Sequence, residues 1–136
     1  MQDEFLRLQD MLSKTIVFIT HDFDEALRLA DRIAIMKDGA IEQCDTPDQI
    51  VLNPATAYVA KFTKEIDHAR VVHAQSLVQP GLEASGDPVE GTTTIRSMSR
   101  RLIEGSEPAI PVKLADGSVG AMPRETALDV LLKASG

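Results

Sequence analysis

The stretch "TIVFITHDFDEALRLADR", residues 15–32, decides the fold class of this 136-residue chain. Its first six residues form a continuous apolar, β-branched run, which is typical of a strand buried on both faces of a parallel sheet. Thr20 and His21 end the run, Asp22 can cap a following helix, and Glu25 completes a capping-box pattern. The stretch therefore predicts a strand, a loop and a helix, with a histidine in the loop.

His21 stands where open α/β sheets place their ligands. Loops diverge at the carboxyl ends of parallel strands, and the N-terminus of the next helix attracts anions. An imidazole at this point could donate a hydrogen bond to a phosphate oxygen. From position alone, a polar residue that only fills the loop is the commoner explanation, because the sequence nearby has neither a phosphate loop nor a catalytic carboxylate pair.

Further helices and a hairpin are predicted around this stretch. The first helix has no capping signal, so we expect further polypeptide before it. The predicted elements are a helix over 3–13, a hairpin over 32–45 that turns at Asp38-Gly39, a helix that starts at Thr46-Pro47 and stops at Asn53-Pro54, and a helix over 55–66.

The second half begins with a change in composition. Over residues 67–91 the apolar spacing loses a clear period, and "QPGLEASGDPVEG" has the composition of a linker or a long loop. His68 and His73 lie in this segment with no Cys or acid at ligand spacing, so we expect them on the surface. Residues 92–133 predict a helix, a strand, a turn at Asp116-Gly117, a second strand and a closing helix.

Composition limits the function classes. No apolar run approaches the roughly 18 residues that cross a bilayer, so membrane contact is expected through a partner. The single cysteine, Cys44, makes a metal cluster improbable. Residues 1–91 carry 8 Lys/Arg against 16 Asp/Glu, whereas residues 92–136 carry 6 against 5. Such an acidic chain, with no basic stripe, excludes nucleic acid as the expected partner.

Several other residues have ordinary explanations. Arg96, Arg100 and Arg101 could form a cationic helix face that responds to salt or to anionic lipid, but a solvated face is the commoner outcome. Met36 and Met98 are predicted core residues.

A longer string, "TIVFITHDFDEALRLADRIAIMKDGAIEQCDTPDQIVLNPATAYVAKF", resembles the C-terminal portion of ATP-binding cassette (ABC) importer ATPases. Several spaced elements agree: Thr-His-Asp after a strand, Glu-Ala, Ala-Asp-Arg-Ile, a Lys-Asp-Gly turn and a Thr-Pro helix. The resemblance covers about residues 1–66 and implies an α/β fold, the last part of a P-loop ATPase domain. It also implies that His21 is the switch-loop residue that contacts the γ-phosphate of ATP, so His21 is the predicted catalytic and nucleotide-contacting residue.

Other parts of the family's ATP site are absent from the sequence. The chain contains no GxxxxGK[ST] phosphate loop, no signature loop and no Asp-Glu pair after a Walker B strand. Phosphoryl transfer requires the phosphates, the metal and the nucleophile to be held together. We therefore expect ATP and Mg²⁺ in the full-length protein, and neither a cofactor nor ATP hydrolysis in the isolated chain.

Residues 92–133 resemble one cystathionine-β-synthase-type (CBS) motif, through the string "TIRSMSRRLIEGSEPAIPVKLADGSVGAMPRETALDVLL". An ATPase followed by such a module is similar to the ATP-binding subunits of choline, glycine betaine and proline importers, where the module is regulatory. Ligand-binding CBS motifs commonly carry Thr-x-x-Asp where this chain has Pro123-Arg124-Glu125-Thr126, which puts adenosine binding in doubt. Because these motifs normally pair and only one copy is convincing, a homodimer through 92–133 is expected.

Together these resemblances predict an α/β protein in three parts. Residues 1–66 would be the C-terminal part of an ABC ATPase domain, 67–91 a linker and 92–136 a single CBS-like regulatory module. The expected function is ATP-driven import of a choline, glycine betaine or proline-type solute. The subunit would lie on the cytoplasmic face of the bacterial inner membrane, bound to a permease and, through it, to a substrate-binding protein. The alternative is a non-catalytic regulatory or dimerisation module in which the ATPase remnant is a scaffold.

Overall fold

The computed structural model describes residue 4 and residues 15–133, which form a mixed α/β structure with two small sheets. Nearly all of the helix predicted over 3–13 therefore lies outside the described residues. The elements, in order, are α1 Phe23–Leu29, β1 Ile33–Lys37, β2 Ala40–Asp45, α2 Pro47–Leu52, α3 Ala57–Thr63, α4 His68–Val71, β3 Val89–Glu90, α5 Ser99–Glu104, β4 Ala109–Lys113, β5 Val119–Pro123 and α6 Arg124–Leu132, with 3₁₀ turns at Ala74–Leu77 and Arg96–Met98.

The buried strand predicted for residues 15–20 is wrong for this structure. These six described residues belong to no strand, and Val17 and Ile19 are 87% and 94% exposed. The apolar pattern was that of a central parallel strand, whose backbone groups need a partner on both edges. The two small sheets are formed by β1–β2 and by β3–β5, and neither includes this segment.

The predicted helix caps are confirmed. The carboxylate of Asp22 accepts a hydrogen bond from the backbone N–H of Glu25 at 3.1 Å, at the start of α1. At the start of α2 the hydroxyl of Thr46 accepts from the N–H of Gln49 at 3.3 Å. Each cap satisfies a backbone donor that the first helical turn leaves free. The same arrangement at Thr56 starts α3, two residues later than the sequence predicted.

The predicted hairpin is also confirmed, with β1 antiparallel to β2. Asp38 and Gly39 have φ values of 51° and 79°, so both turn residues are left-handed, as a type I′ turn requires. Met36 lies opposite Ile41 across the hairpin, and the two side chains are 56% and 60% exposed. The prediction of Met36 as a core residue is therefore wrong.

The second sheet has the element order that the sequence predicted for residues 92–133, with one strand added before it. The strand β3 pairs parallel with β4, and β4 pairs antiparallel with β5. Four of the five residues of β4 are buried. The two helices α5 and α6 contact each other, and Met98 is buried at 5% exposure, as predicted.

The segment 67–77 connects the two sheets through buried contacts. Ala69, Val72 and Ala74 are fully buried, and α4 contacts both α2 and α6. The hydrophobic core is one cluster of side chains that runs from Leu27 to Leu131 through this segment. The division into domains at residues 66 and 91 stays a prediction.

None of the helices in the described part of the chain has the length and apolar character that crossing a bilayer requires.

Candidate functional site

His21 lies in a bend directly before α1, and its side chain is exposed. Two hydrogen bonds of Asp22 hold this bend in place. The N–H of Asp22 donates to the hydroxyl of Thr20 at 3.0 Å, and the Asp22 carboxylate caps α1. The imidazole is therefore accessible from solvent at the end of the 15–20 segment. Its role in a nucleotide site stays a prediction.

The His21 ring could supply one contact of a nucleotide site, but the residues beside it do not extend that site. An exposed imidazole can donate to a phosphate oxygen of a nucleotide held by other polypeptide. The helix α1 has only seven residues and begins with Phe23, Asp24 and Glu25, so its first turn carries two acids. These carboxylates disfavour a polyanion unless a cation lies between them. Within residues 15–133, His21 therefore does not form a complete triphosphate cradle with its neighbours.

A separate cleft of about 860 Å³ lies between α1, the start of α2 and the segment 65–76. His21 does not line it. Side chains of both charges do: the acids are Asp24, Asp31, Asp48, Glu65 and Asp67, and the bases are Arg28, Arg70 and His73.

At the base of this cleft Asp48, His73 and Ser76 form a hydrogen-bonded group, named here the Asp48 cluster. The backbone N–H of His73 donates to Asp48 Oδ2 at 2.8 Å, and His73 Nδ1 lies 3.0 Å from Oδ1. The hydroxyl of Ser76 donates to Oδ2 at 2.6 Å. Asp48 is 7% exposed, so nearly all of its hydrogen bonding is with these two residues.

The cluster shifts the pKa values of both ionisable members. Burial raises the pKa of Asp48, but the hydrogen bonds from His73 and Ser76 outweigh burial, and the pKa of the carboxyl is lowered from its ordinary value. The hydrogen bond to Asp48 raises the pKa of His73 more than burial lowers it. Both shifts favour an imidazolium–carboxylate pair.

The Asp48 cluster does not have the arrangement of a hydrolytic triad. In a triad the serine hydroxyl bonds to the imidazole, whereas here both Ser76 and His73 bond to the carboxylate. Nothing in the cluster removes a proton from the serine. The arrangement holds two segments of chain together.

The alternative of a cationic helix face, which the sequence left open beside an ordinary solvated face, is not supported by the ion pairs of Arg96 and Arg101. Arg96 forms a two-pronged pair with Asp67, with nitrogen–oxygen distances of 2.8 and 3.1 Å. Arg101 forms a similar pair with Glu107 at 2.9 and 3.2 Å. Arg100 is exposed. The face therefore offers little net positive charge to an anionic surface.

The sequence prediction that His68 and His73 are surface residues is wrong. Both are half-buried, and the ring Nε2 of His68 lies 2.9 Å from the carbonyl oxygen of Thr63. The partner of His73 lies 25 residues earlier in the chain, so no local spacing could reveal it. A weak signal existed in Asp48 itself, which is an acid in the first turn of a helix whose cap was already predicted.

Comparisons with known proteins give several close relatives. The chain is 67% identical, over 99% of its length, to a trimethylamine N-oxide transport system ATP-binding protein of Ruegeria pomeroyi, of which it covers 40%. It is 52% identical over 79 residues to a glycine betaine transport ATP-binding protein of Bacillus subtilis, which is 58% of this chain and 19% of that protein. Over 79 residues it is 48% identical to a glycine betaine/proline betaine transport system ATP-binding protein of Escherichia coli.

The chain thus spans less than half the length of these relatives. No protein-family model matches it.

Proposed function

We propose that the chain acts as the C-terminal part of a subunit that hydrolyses ATP for import, because it is similar to the ATP-binding proteins of trimethylamine N-oxide and glycine betaine transport systems. The single observation that carries the proposal is the 67% identity over 99% of the chain to one such ATP-binding protein. The whole subunit would bind a permease on the cytoplasmic side of the bacterial membrane and, through it, a substrate-binding protein. In full length it would use ATP and Mg²⁺.

Within that subunit His21 is the residue that contacts the γ-phosphate. Its exposure, and its place at a bend held by the Asp22 cap, support this role, because the ring can meet a phosphate held by other polypeptide. The bound nucleotide supplies the transferable phosphoryl group. His21 would donate one hydrogen bond to it and would help to place the attacking water.

The two exposed apolar side chains of the 15–20 segment support the view that more polypeptide completes this site. Val17 and Ile19 alternate with the partly buried Ile16 and Phe18, so one face of an extended segment is covered and the other is open. Neighbouring strands of a parallel sheet would pair with the edges of this segment, and helices packed on that sheet would cover its open face. The same strands would bring a phosphate loop and a magnesium site to the edge where His21 lies.

The proposal is tested by ATP turnover of a subunit with the full length of the relatives that contains this sequence. His21→Ala should lower kcat on the order of a hundredfold, as the loss of a donor to a developing charge does elsewhere, while nucleotide binding is retained. His68→Ala is the matched control, because the His68 ring is hydrogen-bonded to the carbonyl of Thr63 at the end of α3. Turnover that is unchanged by His21→Ala would overturn the assignment of the residue.

The isolated 136-residue chain should show no ATP hydrolysis. It lacks the phosphate loop, and phosphoryl transfer needs the phosphates, the metal and the water to be held together. The measurement is phosphate release by the purified chain beside its His21→Ala variant. Turnover that disappears in the variant would contradict this expectation.

The imported solute is proposed to be a small methylated amine of the choline, glycine betaine or proline betaine class. Of the small methylated amines, trimethylamine N-oxide has the strongest support. A relative named for it matches over 99% of the chain, whereas the betaine relatives match over 58%. Uptake of labelled trimethylamine N-oxide and glycine betaine, in cells with and without the gene, would distinguish the two. Loss of betaine uptake alone would reject the narrower assignment.

Residues 92–136 are proposed to be a CBS-like regulatory module. The order α5, β4, β5, α6 supports this interpretation, and the strand β3 just before the module pairs parallel with β4. Thr126 stands where an acid would hold a ribose, so we expect no adenosine binding. Calorimetric titration with AMP and ATP should give no heat of binding, and a saturable site would refute this.

The module is also proposed to pair in a homodimer. Ile103 on α5, Val119 on β5 and Leu132 on α6 are 64%, 57% and 75% exposed, and pairing could bury them. Light scattering should give twice the chain mass, and Ile103→Asp should reduce it to the monomer mass. A monomer at high concentration would reject the dimer and would also remove the dimerisation alternative for this chain.

A further inference from the structure

The Asp48 cluster joins two segments that are far apart in sequence. Asp48 lies in the first turn of α2, while His73 and Ser76 follow it by 25 and 28 residues. These contacts fix one side of the segment 73–76 to α2. Asp48 is the only member on the α2 side, so the attachment depends on one carboxylate.

The other side of the same segment is hydrogen-bonded to the second half of the chain. The N–H of Ala74 donates to the carbonyl of Thr93 at 2.8 Å, and the N–H of Ile95 donates to the carbonyl of Val72 at 3.0 Å. The 3₁₀ turn Ala74–Leu77 also contacts β3, β4, β5 and α6. A shift of segment 73–76 relative to α2 would therefore also displace its contacts with the second sheet.

We propose that the Asp48 cluster is a proton-operated latch, which holds segment 73–76 on α2 while His73 is charged and loosens it when His73 is neutral. The latch would let pH alter how the C-terminal module is held against the α2 region. It uses residues of this chain alone, so it does not depend on the proposed ATP hydrolysis.

The geometry favours the charged state. Asp48 is almost removed from water, and a buried carboxylate is tolerated only when donors or a cation compensate for lost hydration. It receives two neutral donors, from the backbone N–H of His73 and the hydroxyl of Ser76, and the His73 ring is the one cation bonded to it among the described residues. Deprotonation of the ring removes that cation and leaves at most a neutral hydrogen bond.

The groups around the latch reinforce this preference. On α1, Asp24 is paired with Arg28 at 3.6 Å, and next to α4, Asp67 is paired with Arg96 and Arg70. Thr94, opposite His73 in an isolated bridge, is uncharged. The charged or titratable groups that line the cleft with His73 are Asp24, Arg28, Asp31, Asp48, Glu65, Asp67 and Arg70, with acids in excess.

The pH window follows from the direction of each shift. The pKa of His73 is raised, so its contribution to stability is complete below the ordinary value of 6.5 and is lost as pH rises through the higher folded value. The pKa of Asp48 is lowered, so its contribution is present above 3.8 and is lost as pH falls through the lower folded value. The latch is therefore closed in mild acid and opens as pH rises above 6.5 through the folded pKa of His73.

Amide hydrogen exchange of the full 136-residue chain, measured by NMR at about pH 6 and pH 8 and corrected for intrinsic rates, tests the latch. The protection factor of the His73 amide should be severalfold lower at the higher pH, where the raised pKa of the ring leaves more of it neutral. His73→Gln keeps a polar side chain that cannot titrate, so its protection should be equal at the two pH values. His68→Gln, the matched control, should keep the wild-type dependence.

Equal protection in the wild type at both pH values would overturn the proposal, as would a pH dependence that survives in His73→Gln. If His73→Gln does not fold, the ring signals of the wild type decide instead. The proposal requires the His73 ring to titrate above 6.5. A midpoint at or below that value would reject the latch.

Discussion

Residues 15–32 and residues 89–132 both have strand-and-helix patterns, but only the second region forms a sheet. The first has the more specific sequence, with its cap at Asp22, yet its apolar run forms no strand, and its Val17 and Ile19 side chains are exposed. The second has a weaker pattern but contains three strands that pair with one another, with β4 in the centre and four of its five residues buried. A strand pattern thus gives the residues that can be buried, while the neighbouring strands decide whether they are.

The largest difference between the two regions should appear when one isoleucine in each is replaced by alanine. Ile110 in β4 is fully buried, so Ile110→Ala removes packed methyl groups and leaves a cavity, at a cost of about 2–5 kcal/mol in the free energy of unfolding. Ile19 is 94% exposed, so Ile19→Ala should change that free energy by less than about 0.5 kcal/mol. Urea denaturation of the 136-residue chain measures both.

Equal costs for Ile19→Ala and Ile110→Ala would contradict this difference between the two regions, because the 15–20 segment would then be packed in solution. The effect of Ile19→Ala should also be measured in a subunit with the full length of the relatives, to test whether added polypeptide buries Ile19. There the helices packed on the proposed parallel sheet would bury the side chain, and the cost should rise to the range of Ile110→Ala.

A smaller effect is expected at the end of α5, where the second region packs tightly. The N–H of Gly105 donates to the carbonyl of Arg101 at 3.0 Å, and a Cβ added to Gly105 would collide with that same backbone oxygen. Because a backbone atom cannot rotate away, Gly105→Ala should cost about 1–3 kcal/mol in the free energy of unfolding. Thermal unfolding beside Ser106→Ala, a change at the exposed next residue, provides the measurement.

A cost for Gly105→Ala no larger than that of Ser106→Ala would mean that α5 can end differently. The tight packing assigned to the second region would then be wrong at this point.

The sequence predicted local features well where one turn or one cap decides the conformation. The Asp38-Gly39 turn needs only two left-handed residues, and the Thr46 cap needs only a hydroxyl three residues before a free N–H. Both kinds of signal act within four residues, so they survive whatever the rest of the chain does. The same is true of the strand, turn and strand from β4 to β5.

Features that depend on distant partners could not be predicted. The segment 67–77 has no helical period, yet it is buried because α2 lies on one side and α6 on the other. His73 lacks any acid at local spacing, and its partner Asp48 becomes a neighbour only after folding. The prediction that His21 contacts a nucleotide rests on a family resemblance, since its exposed position alone does not distinguish a ligand contact from a loop residue.

The smallest effect tests whether the 67–77 segment is also held by charge. Arg96 bonds Asp67 at two points, and although burial raises the pKa of Asp67, the Arg96 hydrogen bond and charge lower it overall. The Arg96 side chain is 39% exposed, so the pair is partly screened by water, and Arg96→Met should cost about 0.5–1 kcal/mol in the free energy of unfolding. Arg100→Met, on the exposed side of the same helical region, should change the free energy of unfolding by less than half as much.

Urea denaturation at about 0.01 M and about 1 M salt separates charge from packing as the cause of the Arg96→Met effect, because the screening length falls from about 30 Å to about 3 Å. A cost that depends on charge shrinks at high salt, whereas a cost that remains constant would mean that the aliphatic part of Arg96, and not its guanidinium, holds the segment.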